Sequence, residues 1–403
     1  MKNLVIRSGS LRMGGLERVL IEMLQNLDTQ KYKISLIIED NSGKENVFID
    51  QIPKGIELYF IKPESMIAKT HFHRERKKKL YHKLMYNILM SREHRFVVSK
   101  TKEILKEIEK KSGKIDVFLD YDWGARRYVE KLDLKYKIVW IHNSVPKLLK
   151  KNSKIARFGK NLAKYDKVVA ICDEMKKELE EIYPYLKEKI VRIYNPFNFE
   201  RIRKQSLKEE EISEKDLELL KDNYIVGVSR LDTAQKDYYT LLKGFKLYKD
   251  KAKDDTKLYI VGDGPSRDEI EKLIEDLDLK KDVILLGLRK NPYVWIKNSK
   301  LFVHSSKYEG FGLVLVEAAC LGKSIISSNC EVGPKEILGD GDYGRLFEVG
   351  DYIALSEVLY EMLTDDSKRE FYEKKALERS EIFDAKVVIK DYEKLIDIEE
   401  KNE

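Results

Sequence analysis

The sequence predicts an α/β protein of two successive, doubly wound domains, and three observations carry that prediction. Short runs rich in Val, Ile and Leu alternate with helix-forming stretches, which is the pattern of a parallel sheet buried beneath helices. The alternation pauses at Asn195-Pro196-Phe197 and then begins again. Glycine-bearing turns stand between strand and helix near both residue 14 and residue 310, where an open α/β sheet binds its ligands. At 403 residues the chain can build two cores of ordinary size.

Residues 2–7 open the series as a short apolar strand, followed by a glycine loop and an amphipathic helix over 15–27. Further strands are expected at 34–38, 56–61, 115–120, 137–141 and 167–171. The second series places strands at 224–228, 257–261, 283–286, 301–304 and 324–327. Proline at 196 stops the preceding strand, and residues 203–221 form a charged, helix-prone stretch after it. The expected division is therefore 1–195, 196–380 and a C-terminal segment 381–403, with a last helix over about 385–400.

Composition narrows the classes. Charged residues make up 36% of the chain, and no apolar run approaches the ~18–20 residues needed to cross a bilayer. A strand opens the chain where a secretory leader would need an apolar helix, so a cytoplasmic location is expected. Cys172, Cys320 and Cys330 are scattered, without metal-ligand or redox spacing, and read as reduced and structural. Residues 1–198 hold 42 Lys and Arg against 26 Asp and Glu, a net of +16, whereas the remainder holds 35 against 44, a net of −9. Such asymmetry points the first half toward an anionic surface or substrate.

The residues with the clearest chemistry lie at 305–317. Ser305-Ser306-Lys307-Tyr308-Glu309-Gly310-Phe311-Gly312-Leu313 joins a strand to a helix that carries Glu317. The first N–H groups of a helix lack intrahelical acceptors, and its dipole favours an anion there. Phosphate held by the backbone at the helix start, with Glu309 and Glu317 placed to accept sugar hydroxyls, is an arrangement suited to a nucleotide sugar. Glu317 stands among Val314, Leu315, Val316, Ala318 and Ala319, where a carboxylate needs a partner. Arg230 and Lys236 follow the first strand of the second domain and are placed to pair with two phosphates. Gly14-Gly15 permits close backbone approach at a helix N-terminus, and its spacing is not that of a dinucleotide fingerprint, which argues against NAD. His142 ends a strand at the expected ligand edge of the first sheet, and Asn195 stands at the expected hinge.

Four of these segments together resemble the retaining glycosyltransferases with the GT-B fold, in particular glycosyltransferase family 4. Glu309 and Glu317 match that family's paired glutamates, separated by seven residues. Gly14-Gly15-Leu16-Glu17-Arg18 resembles its N-terminal glycine loop, and Arg230 with Lys236 its basic donor-phosphate pair. Val261-Gly262-Asp263-Gly264-Pro265 matches a further landmark. The resemblance implies two Rossmann-like domains with an interdomain crevice, with the last helix packing back on the N-terminal domain. It also implies transfer from a nucleotide sugar, a UDP-sugar favoured over a GDP-sugar, to a glycan or lipid-linked acceptor of bacterial surface-polysaccharide assembly. Arg230 and Lys236 would stabilise the departing diphosphate, so no metal and no other cofactor is expected; Asp120-Tyr121-Asp122 has the spacing of a metal motif but lies in the other domain. Glu309 and His142 would touch the donor sugar, Glu317 the ribose, and the backbone N–H groups of Phe311, Gly312 and Leu313 the phosphates, while Gly262 would shape the loop beneath the base. Glu336 is a lesser candidate.

Residues 69–111 remain. Fourteen Lys and Arg face five Glu, and Leu80, Tyr81, Leu84, Met85, Ile88 and Leu89 recur at helical spacing. Either this is a solvated helix face, or it is a basic amphipathic element on an anionic inner leaflet. A nucleic-acid partner is not expected, because no recognised module accompanies the charge. Two other functions keep the same fold: a UDP-sugar epimerase-like enzyme, which needs additional carboxylates, and a non-catalytic membrane-associated adaptor.

Overall fold

The computed structural model describes residues 1–209 and 213–398 and divides into two compact units, one of Met1–Pro196 with the residues from Val388 on, the other of Phe197–Val387. The strands of unit 1 are β1 (Lys2–Ser8), β2 (Tyr32–Asp40), β3 (Glu57–Lys62), β4 (Val117–Asp120), β5 (Lys137–Ile141), β6 (Lys167–Ala170) and β7 (Ile190–Arg192). They form one sheet in the order β3-β2-β1-β4-β5-β6-β7, every neighbouring pair parallel. Its helices are α1 (Gly15–Asn26), α2 (Glu64–Glu75), α3 (Leu80–Ser112), α4 (Val145–Leu149), α5 (Asn152–Leu162) and α6 (Asp173–Ile182). Leu4, Val5, Ile6, Phe118, Leu119 and Val139 are fully buried, as a parallel sheet covered on both faces requires.

Unit 2 repeats the plan with β8 (Tyr224–Val228), β9 (Lys257–Val261), β10 (Val283–Gly287), β11 (Phe302–His304), β12 (Ile325–Ser328) and β13 (Arg345–Phe347), ordered β10-β9-β8-β11-β12-β13. All its neighbours are parallel as well. Its helices are α7 (Phe199–Gln205), α8 (Glu214–Leu219), α9 (Tyr238–Ala252), α10 (Arg267–Asp276), α11 (Tyr293–Asn298), α12 (Leu313–Cys320), α13 (Pro334–Ile337), α14 (Tyr352–Thr364) and α15 (Asp366–Ser380). Leu242, Phe245 and Tyr248 of α9 pack with Leu258, Ile260, Leu355 and Leu359 in its core. Strand order reverses at β8 and β11 in this unit and at β1 and β4 in unit 1, so each sheet has a switch point at which an α/β fold binds ligand.

Eleven strands stand where the sequence places them, with shifts of one or two residues at their ends. The two it does not reveal, β7 and β13, are three-residue edge strands that each contain an arginine and show no apolar run. The helix-prone stretch 203–221 holds two short helices, because Asn198 caps α7 and Ser213 caps α8. Residues 210–212 of that stretch lie outside the described residues.

Unit 2 extends past the expected limit at 380. The Phe197 amide donates to Phe383 O (3.1 Å) and the Ala385 amide to Phe197 O (2.8 Å), tying residues 381–387 to the start of this unit. The last helix, α16 (Ala385–Ile396), contributes to unit 1 from Val388 on. There Tyr392 stacks on Trp140 (5.1 Å between centroids), a pairing worth about 0.5–1.5 kcal/mol beyond area burial. Glu399 and Glu400, the end expected for this helix, lie outside the described residues. All three cysteines are buried, and none is in a disulfide.

The stretch 69–111 is a helical hairpin, α2 against α3, rather than one amphipathic element. Its apolar positions divide in two. Val97, Ile104, Leu105 and Ile108 are core residues, whereas Leu80, Tyr81 and Leu84 are 82%, 63% and 58% exposed.

Candidate functional site

In unit 2 the loops at the carboxyl ends of β8, β9, β11 and β12 are joined to one another by their backbones. Asp237 N–H donates to Ser305 O (3.0 Å) and Lys307 N–H to Gln235 O (2.8 Å), so the loop after β8 runs alongside the loop after β11. Asp237 then caps α9 by accepting from the Thr240 amide, which fixes the end of the first loop. Glu309 N–H donates to Glu331 O (2.8 Å), tying in the loop after β12.

This stitching brings Lys236 to Glu309. Lys236 Nζ donates to Glu309 Oε1, and the same carboxylate accepts from Ser306 Oγ (2.7 Å) and His304 Nε2 (2.9 Å). Gln235 Nε2 lies 3.4 Å from its other oxygen. Glu309 is 8% exposed. Burial pushes its pKa up, but the His304 hydrogen bond and the Lys236 charge outweigh that and hold the carboxyl well below its ordinary range. The two residues expected to serve sugar and phosphate separately therefore form one charged pair. His304 and Ser306 were not singled out in the sequence; the signal was present, since both stand at or just past a strand end in the same motif.

Arg230 is exposed past the end of β8 and forms no ion pair among the described residues. The loop that carries it needs close neighbours. A Cβ on Gly262 (φ +140°) would lie 2.0 Å from Ser229 O, and one on Gly264 2.4 Å from Leu231 O. Gly262 thus lets the β9 loop lie directly on the backbone beside Arg230, a supporting role.

Gly312 caps α12 in the left-handed region (φ +91°), with Leu313 the first helical residue. Phe311 is buried edge-on against Phe383 (5.8 Å), and Gly333 (φ +103°) has no room for a Cβ beside Phe311 O. The turn is fixed from both sides, and it presents the start of α12 as an anion site. Glu317 is half-buried, and Tyr293 Oη donates to its Oε1 (2.9 Å); Arg201 Nη2 lies 3.5 Å from that hydroxyl. The partner that the apolar surroundings demanded is Tyr293 of α11, which no local spacing indicates. Glu336 stands half-buried on α13, where its carbonyl accepts from Arg379 (2.7 Å).

Gly14, Gly15 and His142 belong to unit 1. Gly14 is the N-cap of α1 in extended backbone that any residue adopts, so conformation does not require glycine there. His142 Nε2 lies 2.7 Å from Tyr121 O; a carbonyl cannot donate, so Nε2 carries the proton and Nδ1 is left as an acceptor. Burial pushes its pKa down to about 4, and the ring is neutral at pH 7. Asn195 is buried just before the end of unit 1. Asp120 and Asp122 both bind the buried guanidinium of Arg7, so this pair is occupied by an arginine.

Comparison with known proteins agrees with this architecture. Residues 208–379 match the family described as Glycosyl transferases group 1, and residues 13–201 match Glycosyltransferase Family 4. An uncharacterized glycosyltransferase of Methanocaldococcus jannaschii is 30% identical over 64% of this chain and 71% of its own length. An N-acetylgalactosaminyltransferase of Campylobacter jejuni, named for a diphospho-undecaprenol substrate, is 32% identical over 60% of this chain and 63% of its own. A second from that organism, also named for a PP-undecaprenol glycan, is 26% identical over 96% of both chains. Among solved structures, Anabaena HepE, crystallised with UDP and glucose, superposes with a TM-score of 0.74 at 18% identity over 98% of this chain and 99% of its own. TarM of S. aureus, solved with UDP, gives 0.71 at 15% over 99% and 100%.

Proposed function

The chain belongs to glycosyltransferase family 4 and has the GT-B fold, and from that premise we propose that it transfers a sugar from a UDP-sugar to a lipid-linked glycan with retention of anomeric configuration. The carrying observation is the convergence of Arg230, the Lys236–Glu309 pair, the start of α12 and Glu317 on the carboxyl edge of one sheet. Arg230, Lys236 and the backbone of Phe311, Gly312 and Leu313 receive the diphosphate. Glu317, oriented by Tyr293, accepts the ribose hydroxyls. Glu309 accepts a hydroxyl of the donor sugar, with its charge already fixed by His304 and Lys236.

During transfer the bond from the anomeric carbon to the diphosphate oxygen breaks and its electron pair stays on the diphosphate. Fixed cations at that oxygen lower the barrier because they need no reorganisation as charge develops. The acceptor oxygen forms the new bond on the same face, and its proton leaves with the diphosphate. These side chains supply the leaving-group stabilisation that a metal supplies elsewhere, so activity in a chelator is part of the proposal.

Surface-polysaccharide assembly is the setting suggested by the relatives' names. Among the described residues no helix is long and apolar enough to cross a membrane. Contact with a membrane-borne acceptor falls to the α2–α3 hairpin, where exposed Leu80, Tyr81 and Leu84 adjoin Lys77, Lys78 and Lys79.

The test is a UDP-sugar panel offered with diphospholipid-linked saccharides, with UDP release and the anomeric proton coupling of the product as readouts. An α-linked product from an α-donor, formed in EDTA, is expected. A β-linked product contradicts retention, and an altered sugar nucleotide without any acceptor points to an epimerase.

A further inference from the structure

Three groups donate to one oxygen of the buried Glu309 carboxylate, and a single one of them, Lys236, is a permanent cation. Lys236 Nζ, His304 Nε2 (2.9 Å) and Ser306 Oγ (2.7 Å) all meet Oε1. An ionised carboxylate cannot donate, so His304 carries its hydrogen on Nε2. Its Nδ1 accepts no hydrogen bond from the described residues. Burial pushes the His304 pKa down and the Lys236 charge pushes it further, against the opposing pull of Glu309. Without a ligand the cluster is therefore one carboxylate, one ammonium and a neutral imidazole.

No other group on the elements around His304 can replace Lys236. In the β8 loop Asp237 is engaged by the Thr240 amide (3.2 Å) and hydroxyl (2.7 Å), and it has the wrong sign. In the β11 loop Lys307 is exposed and its Nζ donates to Thr233 O (2.7 Å). The β12 loop brings Cys330, whose thiol burial pushes up to about 12, and Glu331, a second acid. Arg230 is exposed and is itself assigned to the diphosphate.

We propose that His304 takes up a proton from solvent when the donor binds, and that the imidazolium so formed replaces Lys236 as the counter-charge of Glu309. The inference rests on the reading of unit 2 as the donor site and adds a proton to what that site binds. Lys236 moves onto the diphosphate, and a buried carboxylate left without a cation is costly. The proton enters at Nδ1, Nε2–H keeps its bond to Oε1, and Glu309 stays ionised to accept the sugar hydroxyl. The proton returns to solvent when UDP leaves. His304 is thus a positioning residue that acts on the sugar through Glu309. Because the complex binds more protons than the free protein, donor affinity rises as pH falls through the range between the two titration points of His304.

Calorimetric titration of the full chain with UDP tests it, run at pH 7 in PIPES, HEPES and Tris, whose different ionisation enthalpies reveal the protons taken up on binding. The terminal phosphate of UDP titrates near pH 6 by itself, so the reading is the difference between the wild type and H304Q, which share that contribution. Glutamine keeps a donor for Glu309 and cannot take a proton. The wild type is expected to take up about 0.5–1 proton more than H304Q, and to gain affinity about five-fold more than H304Q between pH 8 and pH 6. K236M provides a second reading that stands even if H304Q does not fold. There Glu309 lacks its ammonium from the start, His304 is protonated before UDP arrives, and the uptake is expected to fall by the same amount. Uptake equal in the wild type and H304Q overturns His304 as the site, and uptake unchanged in K236M overturns the exchange with Lys236; both leave the donor site standing. No binding of UDP to the wild type overturns the donor reading itself.

Discussion

Lys236 Nζ donates to Glu309 Oε1 at the meeting of the β8 and β11 loops, with side-chain exposures of 11% and 8%. The pair links phosphate chemistry to sugar chemistry through a single contact. A donor that draws Lys236 onto its diphosphate leaves Glu309 held by His304 and Ser306 and open to a sugar hydroxyl.

Breaking this pair from one side leaves a buried charge, which costs about 3–5 kcal/mol. Glu309→Gln is therefore expected to lower unfolding stability by that order and kcat by about 100-fold or more, as fixed electrostatic stabilisers do. The double variant K236M/E309Q should recover part of the stability and none of the activity. Urea unfolding with single-turnover kinetics checks both, and additive stability losses would count against the pairing.

Glu317 owes its orientation to Tyr293. Y293F removes one hydrogen bond of about 1 kcal/mol, so UDP affinity should fall roughly five-fold with kcat nearly unchanged. A large loss of kcat would place Tyr293 in the chemistry instead.

Two histidines, His304 buried and His142 half-buried, set the acid limit. Burial pushes the pKa of His142 down to about 4 and that of His304 below its ordinary value. In the unfolded chain histidine titrates near 6.5. Below that pH the unfolded state binds protons that the folded state refuses, so stability is full above about 6.5 and falls as pH drops toward 4. His142 alone contributes ~3 kcal/mol of that loss at pH 4. H142Q should flatten the profile measured by urea unfolding from pH 7 to 4; an unaltered slope contradicts a neutral ring.

Much of this was legible in the chain, and the reason is local. Runs such as 137–141, after its opening Lys137, and 224–228 show no polar alternation, since a parallel strand buries both faces, and they match β5 and β8 residue for residue. The glycine turn before α12 is likewise a local signal. Tyr293 and Arg7 were not legible, because their roles depend on partners that only the sheet order brings near: Tyr293 meets Glu317 across 24 positions and Arg7 meets Asp122 across 115. The apolar positions of α3 were legible as a helix but not in their destination, since helical spacing does not tell a core face from an exposed one.

That exposed face makes a prediction of its own. Flotation with anionic phosphatidylglycerol vesicles should recover the wild-type chain. Replacing Lys77, Lys78 and Lys79 by Gln should weaken binding by about 100-fold, at ~1 kcal/mol for each cation near the surface. L80S/L84S should weaken it further at high salt, where screening leaves only the apolar term. Equal recovery of all variants would remove the hairpin from the membrane.

The most direct test of the donor site is thermal unfolding with UDP, GDP, ADP and NAD, on the wild type and on Glu317→Ala. A ligand at a hundred times its dissociation constant adds about 2.7 kcal/mol to the folded state, a visible rise in Tm. Stabilisation by UDP alone, lost in a variant that keeps its fold without ligand, is the predicted result. No shift with any nucleotide, or an equal UDP shift in Glu317→Ala, would contradict the site described for unit 2.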